Sequence, residues 1–244
     1  MFKWFSKKEQ ALEALSLSEI GTDLHSHLIP GIDDGANDME TSILLIKKFI
    51  DLGFKKIITT PHIMSDLYQN TPEIINSGLS KLKKELKKQE IDIIVEVAAE
   101  YYVDYNFEQN IGVEKFMTFG ENNILIEFSF LEAPRNMYDI IFKLQLEGYK
   151  IVLAHPARYC YFSLNDYSAL IERGVFFQLN LLSLIGYYSN EVKLNAELLI
   201  NNNLISYVGT DCHNKHHAQL YHKCETMKSW HQLVNSGKLL NDKL

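Results

Sequence analysis

Lys150-Ile-Val-Leu-Ala-His155-Pro-Ala-Arg158-Tyr159 opens with a short apolar, β-branched run and ends in an imidazole, a proline and a guanidinium. The run reads as a strand. The same pattern recurs at Ile20–His27, Phe54–His62, Ile91–Tyr101, Asn123–Ser129, Val175–Leu184 and Leu204–His213. Amphipathic stretches lie between. Asp38–Leu52 places Met39, Ile43, Ile46 and Ile50 at helical spacing, and Thr71–Gln89 does so with Ile74, Ile75, Leu79, Leu82 and Leu86. Asn136–Glu147 and Asn190–Asn202 read the same way, and Gly53, Gly148 and Gly174 follow periodic segments as helix stops do. Strand–helix alternation of this kind predicts βαβ units and a parallel sheet. Seven strand candidates point to a closed or nearly closed α/β barrel, with a doubly wound open sheet as the alternative. A helix over His217–Trp230 would finish the wheel.

The ends of these runs carry the chemistry. The first ends in His25 and His27, the second in His62, the third in Glu100, the fourth in Glu127, the fifth in His155, the last in Asp211 and His213. In α/β barrels the C-terminal strand ends converge on one face, where the active site sits. Side chains at i and i+2 share a face of a strand. His25 and His27 therefore point together with Ser26 opposed, and Asp211 and His213 point together with Cys212 opposed. A lone His62 or His155 would be an ordinary core histidine. Glu127 within Leu125-Ile-Glu-Phe128 is costly to bury unless paired or metal-bound. The joint pattern, not any single residue, points to a metal site. Imidazole and carboxylate without thiolate suit Mn, Fe, Co, Zn or Mg. The donors exceed one ion's needs, so two or three ions fit, as in phosphoryl-transfer centres. Arg158 lies three residues past His155, and guanidinium matches phosphate bidentately.

Composition narrows the field. The 244 residues are 46% apolar and 23% charged, as in an ordinary globular protein, and the length suits one large domain. A net charge of −7 argues against general nucleic-acid binding. Nine His stand against only three Arg, namely Arg135, Arg158 and Arg173. Cys160, Cys212 and Cys224 form no CxxC pair, which suits free thiols in the cytoplasm. Met1-Phe-Lys-Trp-Phe-Ser-Lys-Lys8 has no apolar core of a secretory signal, and no stretch reaches the ~18 apolar residues of a membrane span. Residues 1–8 read as part of an N-terminal helix packed on the domain, with contact to a membrane surface as the alternative. The expected organisation is an extension at 1–19 followed by one domain at 20–244.

Six segments, in order, carry a resemblance. They are Asp23-Leu-His-Ser-His-Leu-Ile-Pro-Gly-Ile-Asp-Asp-Gly-Ala36, Thr59-Thr-Pro-His62, Ala98-Ala-Glu-Tyr-Tyr102, Leu125-Ile-Glu-Phe-Ser129, Leu153-Ala-His-Pro-Ala-Arg-Tyr159 and Gly209-Thr-Asp-Cys-His-Asn214. The chain resembles the polymerase-and-histidinol-phosphatase (PHP) superfamily of metal-dependent phosphoesterases. Within it, the chain is similar to the tyrosine-protein phosphatases of bacterial capsule and exopolysaccharide operons. The resemblance implies a distorted seven-stranded TIM-like (β/α)7 barrel with up to three ions, often manganese. It implies His25, His27, Asp34, His62, Glu100, Glu127, His155, Asp211 and His213 as ligands, with His155 and Arg158 in the catalytic machinery and Arg158 holding the phosphate. Some family members carry a second arginine after the final Asp-x-His. Here Asn214-Lys-His-His-Ala-Gln219 has none, and Lys215, His216 or His217 would stand in.

The expected reaction is hydrolysis of phosphotyrosine by a metal-bound hydroxide. Tyrosinate, with a conjugate-acid pKa of about 10, leaves without a strong general acid. A cysteine-based route needs Cys-x5-Arg, and positions 166, 218 and 230 hold Asp, Ala and Trp instead. The implied substrate is the tyrosine-rich tail of an autophosphorylating kinase controlling polysaccharide export. The alternatives are a small-molecule phosphatase acting on a substrate such as histidinol phosphate, and a non-catalytic metal-binding regulatory module.

Overall fold

A computed structural model describes residues 12–244. The expectation for residues 1–8 lies outside the described residues. In chain order the strands are β1 (Thr22–Asp23), β2 (Lys56–Thr59), β3 (His62–Ile63), β4 (Ile94–Val97), β5 (Glu100–Tyr102), β6 (Asn123–Glu127), β7 (Lys150–Ala154), β8 (Phe176–Asn180) and β9 (Tyr207–Gly209). The helices are α1 (Met39–Asp51), α2 (Pro72–Lys88), α3 (Tyr105–Asn110), α4 (Met137–Leu146), α5 (Leu164–Glu172), α6 (Leu181–Leu184), α7 (Asn190–Asn201), α8 (Lys215–Leu220) and α9 (Lys228–Asn235). All strand pairs are parallel. They form one sheet in the order β1-β2-β4 and another in the order β3-β5-β6-β7-β8-β9. The α/β class with parallel sheets is as expected.

Backbone hydrogen bonds continue across the breaks between strands. Ala98 N–H donates to Thr59 O (3.0 Å) and Glu100 N–H to Pro61 O (3.1 Å). Beyond β1 and β9, Ser26 bridges Cys212, Asp211 N–H donates to His25 O (2.6 Å) and His27 N–H to Cys212 O (3.0 Å).

Strand alternation sorts the side chains into two apolar layers. Ile124, Ile126, Ile151, Leu153, Phe177 and Leu179 pack outward against the helices. Leu24, Ile58, Ala98, Leu125, Val152, Ala154 and Tyr207 form a second cluster on the other face, joined by Phe119, Leu240 and Leu244. Each fully buried Leu or Ile is worth roughly 1.5–3 kcal/mol. At that end the Asn241 side chain is fully buried. It accepts from Val208 N–H (2.9 Å) and donates to Thr22 O (3.0 Å) and Val208 O (2.8 Å), so it ties β1 to β9.

The helix starts follow local chemistry. Asp38 caps α1 by accepting from Thr41 N–H (2.7 Å). Thr71 caps α2, and Pro72 occupies its first position, where no intrahelical N–H bond is lost. The helix expected over His217–Trp230 is broken into α8, a 3-10 turn over Tyr221–Thr226, and α9. Tyr221 and Cys224 turn inward, donating to Thr210 O (3.1 Å) and Leu181 O (3.3 Å). An extended Met227 then resets the chain so that Trp230 is buried and its indole N–H reaches Leu15 O (2.8 Å). One continuous helix has too narrow an apolar stripe to bury all three residues. Leu164–Glu172 is a helix the apolar pattern did not reveal. Its Ser163-x-x-Asp166 capping box was the available signal.

Candidate metal centre

Along the inward face of several strands, apolar residues at one end give way to polar ones at the other. Ile58 is followed on that face by Thr60 and His62, Ala98 by Glu100, and Leu125 by Glu127. This is the i, i+2 rule carried to the strand ends. His155 departs from it. Ile151 and Leu153 face the helices, so simple alternation would send His155 the same way. A left-handed backbone (φ +34°, ψ +52°) turns it into the cluster instead. Asp211 is also left-handed, at φ +53°. Such conformations cost non-glycine residues of order 1–3 kcal/mol and persist where the surroundings enforce them. Gly209 makes the approach of β9 possible: a Cβ there would lie 2.6 Å from His25 Cβ.

The structure brings all nine predicted ligands to one place. His25 Nε2 and His27 Nε2 lie 3.3 Å apart. Glu100 sits among four imidazoles. Its Oε2 is 3.1 Å from His25 Nε2, 3.5 Å from His27 Nε2 and 3.2 Å from His62 Nδ1, and its Oε1 is 3.0 Å from His155 Nε2. Glu127 Oε1 lies 3.4 Å from His155 Nε2, and Asp211 Oδ1 lies 3.4 Å from His27 Nε2. Asp34 Oδ1 lies 3.6 Å from His62 Nε2 and 3.5 Å from His213 Nε2. Among the described residues, three groups have donor atoms close enough to share an ion: His27–Asp34–His62–His213, His25–His27–Glu100 and His62–Glu100–Glu127. A cleft of about 340 Å³ opens over them, lined also by Arg158, Phe130, Asn214 and His217. His25 and His27 are fully buried beneath it.

Three neighbours orient the imidazoles. Gln178 Oε1 accepts from His25 Nδ1 (2.8 Å), Asp33 Oδ2 from His27 Nδ1 (2.9 Å) and the Asp211 carbonyl from His213 Nδ1 (2.9 Å). Each acceptor fixes the tautomer and leaves Nε2 with a free lone pair aimed into the cluster. Asn180 Nδ2 (2.6 Å) and the Tyr188 hydroxyl (3.3 Å) both donate to Asp211 Oδ2. Among the described residues, buried side-chain atoms that make no hydrogen bond include His62 Nδ1, which lies beside Glu100, His155 Nδ1 and Glu127 Oε2. Native proteins rarely leave such atoms unpaired. The convergent lone pairs, the orienting acceptors and the unpaired donors together fit divalent cations.

Charge follows this geometry. Burial raises the Glu100 carboxyl, but the surrounding imidazoles hold it well below the usual range. Burial likewise opposes ionisation of Asp34, and His213, His62 and His27 bring it down to about 2. Burial pulls His155 down, while its hydrogen bonds to Glu100 and Glu127 carry it to about 9.

Sequence reasoning had missed Asp33, Gln178 and Asn180. The alternation in Phe176-Phe-Gln-Leu-Asn180 was a signal for the last two, since Phe177 and Leu179 face the helices. Of the residues expected to stand in for a second arginine, only His217 lines the cleft. Its Nε2 is 3.1 Å from the Tyr187 hydroxyl, and its Nδ1 accepts from His213 N–H (3.3 Å), so neither nitrogen is spare. Lys215 and His216 are exposed on the first turn of α8 and do not line it. The helix cap at Asn214, which accepts from His217 N–H (3.0 Å), turns His217 inward and the preceding two residues outward, away from the expected place of a second arginine.

The family model described as capsular polysaccharide synthesis, CpsB/CapC, matches residues 21–231. The chain belongs to the CpsB/CapC family. It is 33% identical over 195 residues to the tyrosine-protein phosphatase YwqE of Bacillus subtilis (strain 168), covering 79% of this chain and 77% of YwqE. It is 25% identical over 202 residues to the tyrosine-protein phosphatase CpsB of Streptococcus agalactiae serotype III (strain NEM316), covering 79% and 82% of the two chains. Its structure is similar, with a TM-score of 0.79 and 28% identity, to a solved structure from work on YwqE of B. subtilis and CpsB of Streptococcus pneumoniae, described as metal-dependent tyrosine phosphatases. That likeness covers 91% of this chain and 94% of the other.

Proposed function

We propose that this member of the CpsB/CapC family is a metal-dependent protein-tyrosine phosphatase. The observation that carries the reading is the set of imidazoles, His25 and His27 buried and His213 at the cleft, whose Nδ1–H groups are taken by Gln178, Asp33 and the Asp211 carbonyl, beside an arginine at the cleft. His25, His27, Asp34, His62, Glu100, Glu127, His155, Asp211 and His213 would hold two or three divalent ions, with manganese the first choice by resemblance to the superfamily and Fe, Co, Zn or Mg equally suited to the donor set. Glu100, in reach of four imidazoles, is the best placed to be shared. Bound divalent ions lower the pKa of water towards neutrality and absorb phosphoryl charge.

The chain's own residues do the rest. Arg158 offers a planar donor fork to the phosphoryl oxygens and stabilises the charge that grows on them. Gln178 and Asp33 hold the His25 and His27 rings still. The floor excludes water, since His25, His27 and Glu100 are fully buried. Tyrosinate departs with little need of a proton from the protein.

We read the fold as one distorted seven-stranded barrel. In it β2 with β3, and β4 with β5, are single interrupted strands, and the seam lies between His25–His27 and Asp211–Cys212. The hydrogen bonds across the breaks and the Asn241 bridge support this. We read residues 20–244 as one domain preceded by an extension at 1–19, of which Leu15 donates to the Glu225 carbonyl (2.9 Å). The substrate would be the phosphorylated tail of a tyrosine kinase in capsule or exopolysaccharide synthesis. Three thiols without a disulfide suit the cytoplasm, and no helix among the described residues is long and apolar enough to cross a membrane.

The test is hydrolysis of a phosphotyrosine peptide and of histidinol phosphate by chelated protein, with Mn, Fe, Co, Zn and Mg each added back. Activity on the peptide should return, most strongly with Mn. Failure with every ion removes the reading, and preference for histidinol phosphate replaces it with a small-molecule phosphatase.

A further inference from the structure

Arg158 reaches the cleft between two aromatic rings. Its Cζ lies over the Phe130 ring, 3.9 Å from the centroid, and over the Tyr188 ring, 4.7 Å from the centroid. Nη1 is 3.7 Å from Asp211 Oδ2. An arginine side chain has many rotamers, and nothing else in its own 3-10 turn, Pro156–Arg158, fixes the guanidinium. The rings do. Tyr188 is itself held, since its hydroxyl donates to Asp211 and accepts from Asn180 Nδ2 (3.0 Å). Phe130 stands at the cleft mouth, 42% exposed, with its ring near His155 (5.5 Å) and Tyr159 (6.0 Å). The face of the Phe130 ring lies against the guanidinium, an attraction of cation and ring quadrupole.

We propose that Phe130 and Tyr188 are positioning residues that clamp the Arg158 guanidinium for the substrate's phosphoryl group. A caged arginine has already lost its rotamer freedom before phosphate arrives, so less binding energy is spent ordering it. The rings thereby offset the missing second arginine, a role that His217, with both nitrogens engaged, does not fill. The proposal rests on the reading above that Arg158 takes the phosphate.

The test compares Phe130→Leu, Phe130→Tyr, Tyr188→Leu and Tyr188→Phe in the metal-loaded protein. Two quantities are read: kcat and KM on a phosphotyrosine peptide, and the Kd of inorganic phosphate by calorimetry. Metal content and thermal unfolding are checked for each variant. Loss of one ring face should lower kcat/KM by roughly three- to thirtyfold in Phe130→Leu and Tyr188→Leu, mainly through KM, with a matching loss of phosphate affinity. Phe130→Tyr keeps the ring and should stay within about threefold of wild type, while Tyr188→Phe, which keeps the ring but gives up the hydroxyl bonds to Asp211 and Asn180, should fall between wild type and Tyr188→Leu. The clamp is overturned if Phe130→Leu matches wild type in both readouts. It is also overturned if the ring-keeping variants are as impaired as the leucine ones. A wild type that ignores phosphotyrosine, with phosphate affinity still falling in Phe130→Leu, keeps the clamp and removes the substrate reading.

Discussion

The two ends of the parallel strands are both closed by buried polar groups, yet they are finished differently. At the N-terminal ends, Asn241 is fully buried with its donors and acceptor satisfied, and Leu240 and Leu244 cover the apolar layer. At the C-terminal ends, five imidazoles and four carboxylates crowd one volume, with His62 Nδ1, His155 Nδ1 and Glu127 Oε2 making no hydrogen bond. A buried polar group that is fully paired welds a seam. A buried group that is oriented but unfinished awaits a ligand. The pairing, not the polarity, separates the two.

The comparison breaks most sharply under mutation of the unfinished end. Arg158→Ala should lower kcat/KM on a phosphotyrosine peptide by about a hundred- to a thousandfold, the loss seen when a preorganised charge stabiliser is removed. Asn241→Ala should do the reverse, costing about 1–3 kcal/mol in urea unfolding while kcat of the folded protein holds. If Asn241→Ala loses activity at full stability, the two ends do not divide the labour as argued.

Next in size are the orienting residues. Asp33→Ala and Gln178→Ala should weaken metal binding by about ten- to a hundredfold in calorimetric titration. Unchanged affinity would mean that the hydrogen bonds to His27 and His25 play no part in ligation.

Acidity gives a graded effect. Burial lowers the His155 pKa, and the carboxylates of Glu100 and Glu127 raise it to about 9 in the metal-free protein. Its ion-pair stabilisation is therefore full below about pH 6.5 and is lost as pH rises through about 9. Ions need the neutral ring, so metal affinity should climb across that same window while the melting temperature of chelated protein falls. A flat affinity between pH 6.5 and 9 would contradict this. The smallest effect belongs to Lys215→Ala and His216→Ala. Both residues are exposed outside the cleft, so stability should stay within about 0.5 kcal/mol and kcat/KM within about twofold of wild type.

Much of this centre was legible in the chain. The strand ends carry eight of the nine proposed ligands, because period-2 alternation and the convergence of parallel strands are local rules. The Asp33-Asp34-Gly35 turn after the first strand can bring one carboxylate over those ends, and only the resemblance singles out Asp34. The pair was divided by folding: Asp33 is buried on His27, and Asp34 faces His62 and His213. Gln178 and Asn180 escaped because amides within a strand carry no charge to explain. The helix at Leu164–Glu172 is marked in the chain chiefly by its Ser163-x-x-Asp166 capping box, a signal of its start and not of its length.

Strand–helix order, the donor types at the strand ends and the arginine beside them can be read from the chain alone, since hydrophobic period and donor chemistry are properties of short stretches. Folding settled that His155 turns against its own strand's alternation, that Arg158 lies between two rings, and that His217 is occupied while Lys215 and His216 face away. Those outcomes depend on contacts between residues far apart in the chain, and on backbone conformations that only the packed surroundings can enforce.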